Sequence, residues 1–252
     1  MRFKCAFLFL ALAATAQADW TILSTASEPG RDGLVHRHVV LENNAGGGRI
    51  TVDLAIFSKF CTLRVLQNES GADGLGEMMR HEKCLAGANG GYFNENFAPL
   101  GLRIANGQMI APLQRARLIT GVLVASPRGV QIVRSREFSR RLGVTAAIQC
   151  GPFLVDRGQP ISGLNDSHRA RRTFAATTSS SCALVGVCSG VSLAELAKIL
   201  ATTSLAEDLK IERALNLDGG SSSAFWFARQ NGSAFSISEQ KPVRDFVGIV
   251  PK

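Results

Sequence analysis

Ala214-Leu215-Asn216-Leu217 is an apolar run too short for a helix, and at Asp218 it breaks into Gly219-Gly220-Ser221-Ser222-Ser223. A short apolar run that stops at turn-forming residues reads as a buried strand, so the rest of the chain must supply neighbouring strands to cover it. Its far end carries a carboxylate, two glycines and three hydroxyls. Glycine permits positive φ and close ligand approach, so successive backbone N–H groups can converge on an anion while serine hydroxyls add donors. A tight turn capped by Asp218 is the plain alternative, because Asp-Gly is a common turn dipeptide.

Short runs of the same kind recur along the chain. Residues 34–41 and 49–57 read as strands around the polar turn Glu42-Asn43-Asn44-Ala45-Gly46-Gly47-Gly48, and residues 62–66 continue the sheet. Residues 75–83 have helical character, with Leu75, Met78 and Met79 on one side. A small-residue strand, Leu85-Ala86-Gly87-Ala88, ends in Asn89-Gly90-Gly91-Tyr92-Phe93. A hairpin over 101–104 and 108–110 turns at Asn106-Gly107. Strands follow at 119–125, 130–133 and 146–155, the last interrupted by Gly151-Pro152, which implies an edge, a bulge or a break. After a polar loop at 162–172, residues 173–177 and 182–188 form an antiparallel pair. The capping box Ser192-Leu193-Ala194-Glu195 opens a helix to about residue 200, and Ser204-Leu205-Ala206-Glu207 opens a shorter one. Residues 225–227, 234–237 and 246–250 close the chain as strands. Helices do not alternate regularly with strands, so the expected fold class is α+β: a single domain of mixed, mostly antiparallel sheets with a few short helices.

Met1-Arg2-Phe3-Lys4, the apolar run from Cys5 to Ala14 and Ala16-Gln17-Ala18 have the form of a secretory signal peptide cleaved after Ala18. That run is too short to span a bilayer, and no later stretch nears the required ~20 apolar residues. The expectation is an exported protein, periplasmic or extracellular, comprising residues 19–252 and without stable membrane insertion. The net charge of +8 includes Arg2 and Lys4, so +6 remains once they are removed. Arginines cluster at 128, 134, 136, 140 and 141, and again at 169, 171 and 172, which suits a solvated basic face or an anionic partner such as a cell-surface polymer. Nucleic acid is not an expected partner, since no aromatic stacking platform interleaves with the arginines.

Beyond Cys5 the cysteines are Cys61, Cys84, Cys150, Cys182 and Cys188, an odd number that leaves one unpaired. Cys61 with Cys84 is the expected disulfide in an oxidising compartment. Cys182 and Cys188 lie six apart on one strand face, too far to bridge at about 3.3 Å per residue. The chain has no G-x-S-x-G elbow, P-loop, G-x-G-x-x-G or H-E-x-x-H. Ser238-Glu239-Gln240-Lys241 matches S-x-x-K only by spelling. His36 and His38 share a strand face, but with no carboxylate beside them they read as exposed surface, and no metal site is expected. A Cys84 or Cys150 nucleophile with His168 is less economical than a buried thiol.

Four motifs remain in order: Asn89-Gly90-Gly91-Tyr92-Phe93, Gly151-Pro152, Arg172-Thr173, and Leu215-Asn216-Leu217-Asp218-Gly219-Gly220 with its serines. In this order, with a terminal strand preceded by Arg244, the chain from about residue 50 to 250 resembles the phosphodiester glycosidase family, the N-acetylglucosamine-1-phosphodiester alpha-N-acetylglucosaminidase-like proteins. Tyr92 stands where phenylalanine is common in that family, and Ser221 where a third glycine often stands. The resemblance implies a hydrolase that cleaves a sugar-1-phosphodiester at the anomeric carbon, releasing free sugar and a phosphomonoester. The expected partner is then a small-molecule or glycan phosphodiester.

Under that resemblance Asp218 stabilises or attacks the oxocarbenium-like centre, and Arg172 grips phosphate oxygens through its planar fork. Gly219, Gly220, Ser221 and Ser222 supply donors to the substrate. Asn89 and Asn216 bond sugar hydroxyls, Tyr92 covers the sugar face, and Gly90, Gly91 and Thr173 shape the pocket. Glu95 and His168 are reserve acid–base groups. No cofactor is expected, although a divalent cation beside Asp218 is left open. The rival readings are an exported glycan- or sugar-phosphate-binding protein without turnover, and a hydrolase built on serines 221 to 223, for which no motif places a histidine.

Overall fold

A computed structural model describes residues 19–140, 143–205 and 209–252. The expected signal peptide, Arg141 and part of the expected helix at Ser204 lie outside these. Among the described residues eighteen strands build three sheets, and every strand pair is antiparallel.

The largest sheet has eight strands, in the order β1 (Trp20–Pro29), β2 (Val35–Asn43), β3 (Arg49–Phe57), β14 (Ala183–Val191), β13 (Ala170–Thr178), β15 (Ile211–Asn216), β11 (Phe153–Asp156) and β12 (Gln159–Pro160). A second sheet orders β7 (Gln108–Ala111), β6 (Arg103–Ala105), β10 (Ala146–Cys150), β8 (Gly121–Ser126) and β9 (Gly129–Arg134). The third orders β17 (Ala234–Ile237), β16 (Phe225–Ala228), β5 (Ala86–Asn89), β18 (Asp245–Pro251) and β4 (Cys61–Gln67).

One face of the large sheet packs on both smaller sheets. Ala55, Val185, Ala175 and Leu215 meet Leu63, Ala88, Ile148, Phe225 and Val247 in the principal core. The opposite face, through Leu54, Phe174, Leu184 and Ala214, is covered by α2 (Leu193–Thr202). With both faces covered, the middles of β3 (54–57), β13 (174–176) and β14 (183–188) read as unbroken runs without charged or polar residues. Helix α1 (Leu75–His81) lays Leu75, Met78 and Met79 on the outer face of the third sheet. The small residues of β5 follow from this. A Cβ at Gly87 would lie 2.3 Å from Met79 Sδ, so only glycine lets the helix approach. The fold is therefore strand-dominated: the mostly antiparallel sheets match the sequence reading, while the α-helical share among the described residues is two short elements. None of the described helices is long and apolar enough to cross a membrane.

The capping box forms as read. Ser192 Oγ accepts from Glu195 N–H at 3.1 Å and Glu195 Oε2 accepts from Ser192 N–H at 2.8 Å. Ser192→Ala leaves a buried donor without its acceptor and is expected to cost about 1 kcal/mol, read as a Tm lower by roughly 2–4 °C. An unchanged Tm would mean that α2 is held by packing alone.

Two sequence expectations are corrected. Cys61 and Cys84 are both free, as are Cys150, Cys182 and Cys188. Cys61 points into the principal core and Cys84 into the layer under α1, so the third sheet separates them. His36 is buried rather than exposed. Asp53, opposite on β3, accepts from His36 Nε2 at 3.0 Å and pairs with His38 Nδ1 at 2.9 Å, while Phe225, Phe227 and Phe235 surround the His36 ring. The carboxylate missing from the local sequence arrives from the neighbouring strand.

Candidate active site

The ends of the large and third sheets meet at Asp218. β15 stops at Asn216, and beyond Asp218 the chain enters a 3-10 turn, Gly220–Ser222, with Gly220 at φ 64°. That left-handed conformation favours glycine. β5 ends beside it at Asn89, which is buried. Asn89 Oδ1 accepts from Thr173 Oγ1 at 2.7 Å and from Ala224 N–H at 3.0 Å, and Nδ2 donates to the Asp218 carbonyl at 2.8 Å. Asp218 N–H donates in turn to Gly90 O at 3.1 Å. Asn89 and Thr173 thus fix the backbone that carries the carboxylate, joining the two sheets.

Gly90 and Gly91 are glycines because a buried ion pair occupies the side-chain space. A Cβ at Gly90 would lie 1.9 Å from Asp245 Oδ1, and one at Gly91 2.1 Å from Arg103 Nη2. Arg103 Nε donates to Asp245 Oδ2 at 2.7 Å, with both side chains 2% exposed. Arg103 also donates to the carbonyls of Tyr92, Leu102 and Gln149, and Gly91 N–H donates to Asp245 Oδ1 at 2.9 Å. This pair was not among the expected site residues. The only local signal was the doubled glycine, which announces that something else needs the room.

Tyr92 OH donates to Gly151 O at 2.7 Å and accepts from Asn216 Nδ2 at 2.9 Å. Burial, then the neighbouring Cys150 and Asp218, push the Tyr92 hydroxyl far up, so it stays protonated. Asn216 Nδ2 also reaches Gly151 O at 3.0 Å. The Gly151–Pro152 corner, a cis peptide, is therefore the anchor for both side chains.

Arg172 is buried at the mouth of β13. Its Nε donates to Val191 O at 3.1 Å and Nη2 to His168 O at 2.7 Å. Those two bonds fix the guanidinium from behind and leave its Nη1 side toward Gly219. Burial lowers the Arg172 pKa, but guanidinium remains a cation. His168 contributes only that carbonyl; its ring is on the exposed 162–169 loop. Glu95 is exposed on the turn after Phe93 and makes no hydrogen bond or ion pair with this cluster.

Asp218 is half-buried and its carboxyl is shifted upward, chiefly by burial and in small part by Asp245. The opposing pull comes from Ser222, Gly219 N–H at 2.9 Å and the Lys241 charge. Ser222 sits beside the carboxylate without reaching good hydrogen-bond geometry, so its hydroxyl is still unpaired. Buried polar atoms without a partner include Asn216 Oδ1, Ser222 Oγ and Ser223 Oγ. Each such atom costs roughly 1–3 kcal/mol. Three of them within the stretch 216–223, Ser222 Oγ beside the carboxylate itself, mark places completed by a ligand or water. Ser221 turns its carbonyl to Gln240 N–H at 2.7 Å, which fastens the 238–241 segment over the site. That segment brings in Lys241, whose charge acts on the Asp218 carboxyl and which the sequence marks only by a coincidental S-x-x-K.

Thiol chemistry has little support here. Burial pushes Cys150 and Cys84 up to about 12, so neither is a thiolate at neutral pH. No group of three or more His, Cys, Asp or Glu among the described residues is placed to hold a metal ion.

Comparison with solved structures and families places the fold. The catalytic domain of zebrafish N-acetylglucosamine-1-phosphodiester alpha-N-acetylglucosaminidase, auto-inhibited by its pro-peptide, superposes with a TM-score of 0.67 at 14% identity, covering 91% of this chain and 88% of that one. A hypothetical protein from Synechocystis gives 0.60 at 16% identity, over 91% of this chain and 64% of that one. A Burkholderia pseudomallei K96243 protein described as exported gives 0.59 at 14% identity, over 81% and 74%. At these identities the likeness is one of fold. No curated protein sequence matches the chain. The sequence profile of the phosphodiester glycosidase family matches residues 82–250, which hold every element of the site from Asn89 to Asp245, and the chain belongs to that family.

Proposed function

We propose that this protein hydrolyses a sugar-1-phosphodiester at the anomeric carbon. The observation that carries the proposal is one half-buried carboxylate, Asp218, which feels the Lys241 charge, with the pinned cation Arg172 beside the neighbouring Gly219 and the buried, partnerless hydroxyls of Ser222 and Ser223 on the same loop. Cleavage of the C1–O bond builds positive charge on the sugar ring, which a carboxylate stabilises or attacks. Negative charge grows on the departing phosphate at the same moment, and fixed cations stabilise it without reorganising. Water then supplies the hydroxyl at C1, and the phosphate leaves as a monoester that needs little protonation.

Arg172 presents Nη1 and the remaining N–H of Nη2 to the phosphate, since its other donors are bound to Val191 and His168 carbonyls. Asn216 Oδ1, Ser222 and Ser223 supply the polar contacts to the sugar. Hydrolysis in ¹⁸O-water tests the bond that breaks. Label in the sugar hydroxyl supports attack at carbon; label in the phosphate would make the protein a phosphodiesterase acting at phosphorus.

The electrostatics fix the direction of a pH effect. The ionised Asp218 is the working form, so kcat/KM rises with pH through its raised pKa, above the ordinary ~4 of a free carboxylate. Lys241 holds that pKa down, so Lys241→Met is expected to move the acid limb to higher pH. An acid limb that stays in place would show that another group controls it.

A further inference from the structure

Seven large apolar side chains are exposed among the described residues, and five of them, Leu100, Met109, Ile110, Leu113 and Leu118, fall between residues 100 and 118. Met109 and Ile110 sit on β7, the edge strand of the second sheet. From there the chain runs as a strap, residues 112–118, in which every residue is exposed and Leu118 is 69% exposed. The strap interleaves its leucines with Arg115 and Arg117. Behind it lies a cavity of about 760 Å³, lined by Leu113, Ile119 and Phe138 together with Arg115, Arg134 and Arg136. Of these arginines Arg134 is paired with Asp156. Residues 96–136 hold six arginines and no aspartate or glutamate; Arg103 is buried against Asp245, while Arg115, Arg117 and Arg136 lie on the strap or at its cavity.

The strap is held in this posture. Buried Gln149 accepts from Gln114 N–H at 2.9 Å and donates to Gln114 O at 2.7 Å and Ile119 O at 3.0 Å, so residues 115–118 arch outward between two clamped ends. The root of the arch packs against Gly151, where a Cβ would lie 2.2 Å from Leu118 O. Gly151 is the residue whose carbonyl anchors Tyr92 and Asn216.

We propose that β7 and the 112–118 strap form a docking face for an anionic phospholipid bilayer. Apolar tips enter the headgroup boundary while arginines meet lipid phosphates, the combination that interfacial binding requires. A second copy of this chain fits less well, because an isologous contact would set arginine against arginine. A polyanion without acyl chains would leave the leucines unrewarded. Through the shared Gly151 corner, docking would present the site to phosphodiesters carried at that membrane, a consequence that rests on the function proposed above.

The test is co-sedimentation of the protein with vesicles of phosphatidylcholine alone and of phosphatidylcholine with phosphatidylglycerol, which needs no turnover. Binding is expected to the anionic vesicles only and to weaken with salt. Arg115→Gln with Arg117→Gln should lower affinity roughly thirtyfold, and Leu113→Ser with Leu118→Ser should abolish binding at raised salt. Both pairs are exposed, so Tm should hold. Absence of binding to anionic vesicles, binding unchanged in both double variants, or concentration-dependent dimerisation lost with the leucines in place of vesicle binding would each overturn the proposal.

Discussion

Asp218→Asn is expected to lower kcat roughly 10³-fold or more, about 4 kcal/mol of transition-state stabilisation, while substrate still binds. The amide keeps the shape of the carboxylate but cannot stabilise or attack a cationic carbon. The same substitution should leave the protein as stable or more so at neutral pH. The sign follows from the shift. The folded pKa of Asp218 lies above its unfolded value, so between the two the native state binds more proton and stability falls as pH rises. Above the folded pKa the ionised group weighs on the fold by a constant amount, and asparagine removes that weight. Steady-state kinetics with a thermal scan at pH 7 checks both halves. Loss of turnover accompanied by a large fall in Tm would instead make Asp218 a structural residue.

The second large effect is one of stability. Asp245→Asn keeps an acceptor for Gly91 N–H but leaves the Arg103 guanidinium buried and uncompensated. Breaking one side of a buried pair costs about 3–5 kcal/mol, which for a chain of this size lowers Tm by roughly 10 °C. Asp245→Ala also releases Gly91 N–H and should cost more still. Because the Asp245 backbone carbonyl continues to hold Gly90 N–H at 2.8 Å, the 89–91 corner should loosen rather than unravel. A loss below about 1 kcal/mol in denaturant unfolding would mean water reaches Arg103 once the carboxylate is gone.

The two variants separate what the sequence made legible from what it hid. Strands buried on both faces announce themselves: residues 49–57, 173–177 and 182–188 are largely apolar, and they form β3, β13 and β14, although β13 starts at Ala170, inside the stretch read as a loop, and β14 continues to Val191. The turn at 42–48 and the Ser192 capping box rest on local backbone chemistry and appear where they were read. β1 did not show, because an edge strand that is mostly exposed carries threonine, serine and alanine without an apolar period. The Cys61–Cys84 expectation failed for a different reason: spacing says nothing of which face of a sheet a residue takes.

The site divides in the same way. Asn89, Arg172, Thr173, Asn216, Asp218 and its glycines and serines stand in short motifs at strand ends, and the fold gathers them into one cluster. Arg103, Asp245, Gln149 and Lys241 have no such mark. An arginine that will be 2% exposed in a buried pair is written like any surface arginine, and only the partner strands reveal it. His168 illustrates the reverse, since its residue type suggested proton transfer while its backbone carbonyl makes the contact to Arg172.

The central claim is tested most directly by ³¹P NMR of a panel of sugar-1-phosphodiesters incubated with the protein, with free reducing sugar assayed in the same tube and Asp218→Asn run beside it. The expected result is conversion of at least one phosphodiester to its phosphomonoester with an equal amount of free sugar, and no conversion by the variant. Sugar phosphates that bind without any turnover across the panel, or turnover undiminished in Asp218→Asn, would contradict it. The first outcome would leave a sugar-phosphate-binding protein on a glycosidase fold; the second would move the chemistry away from Asp218.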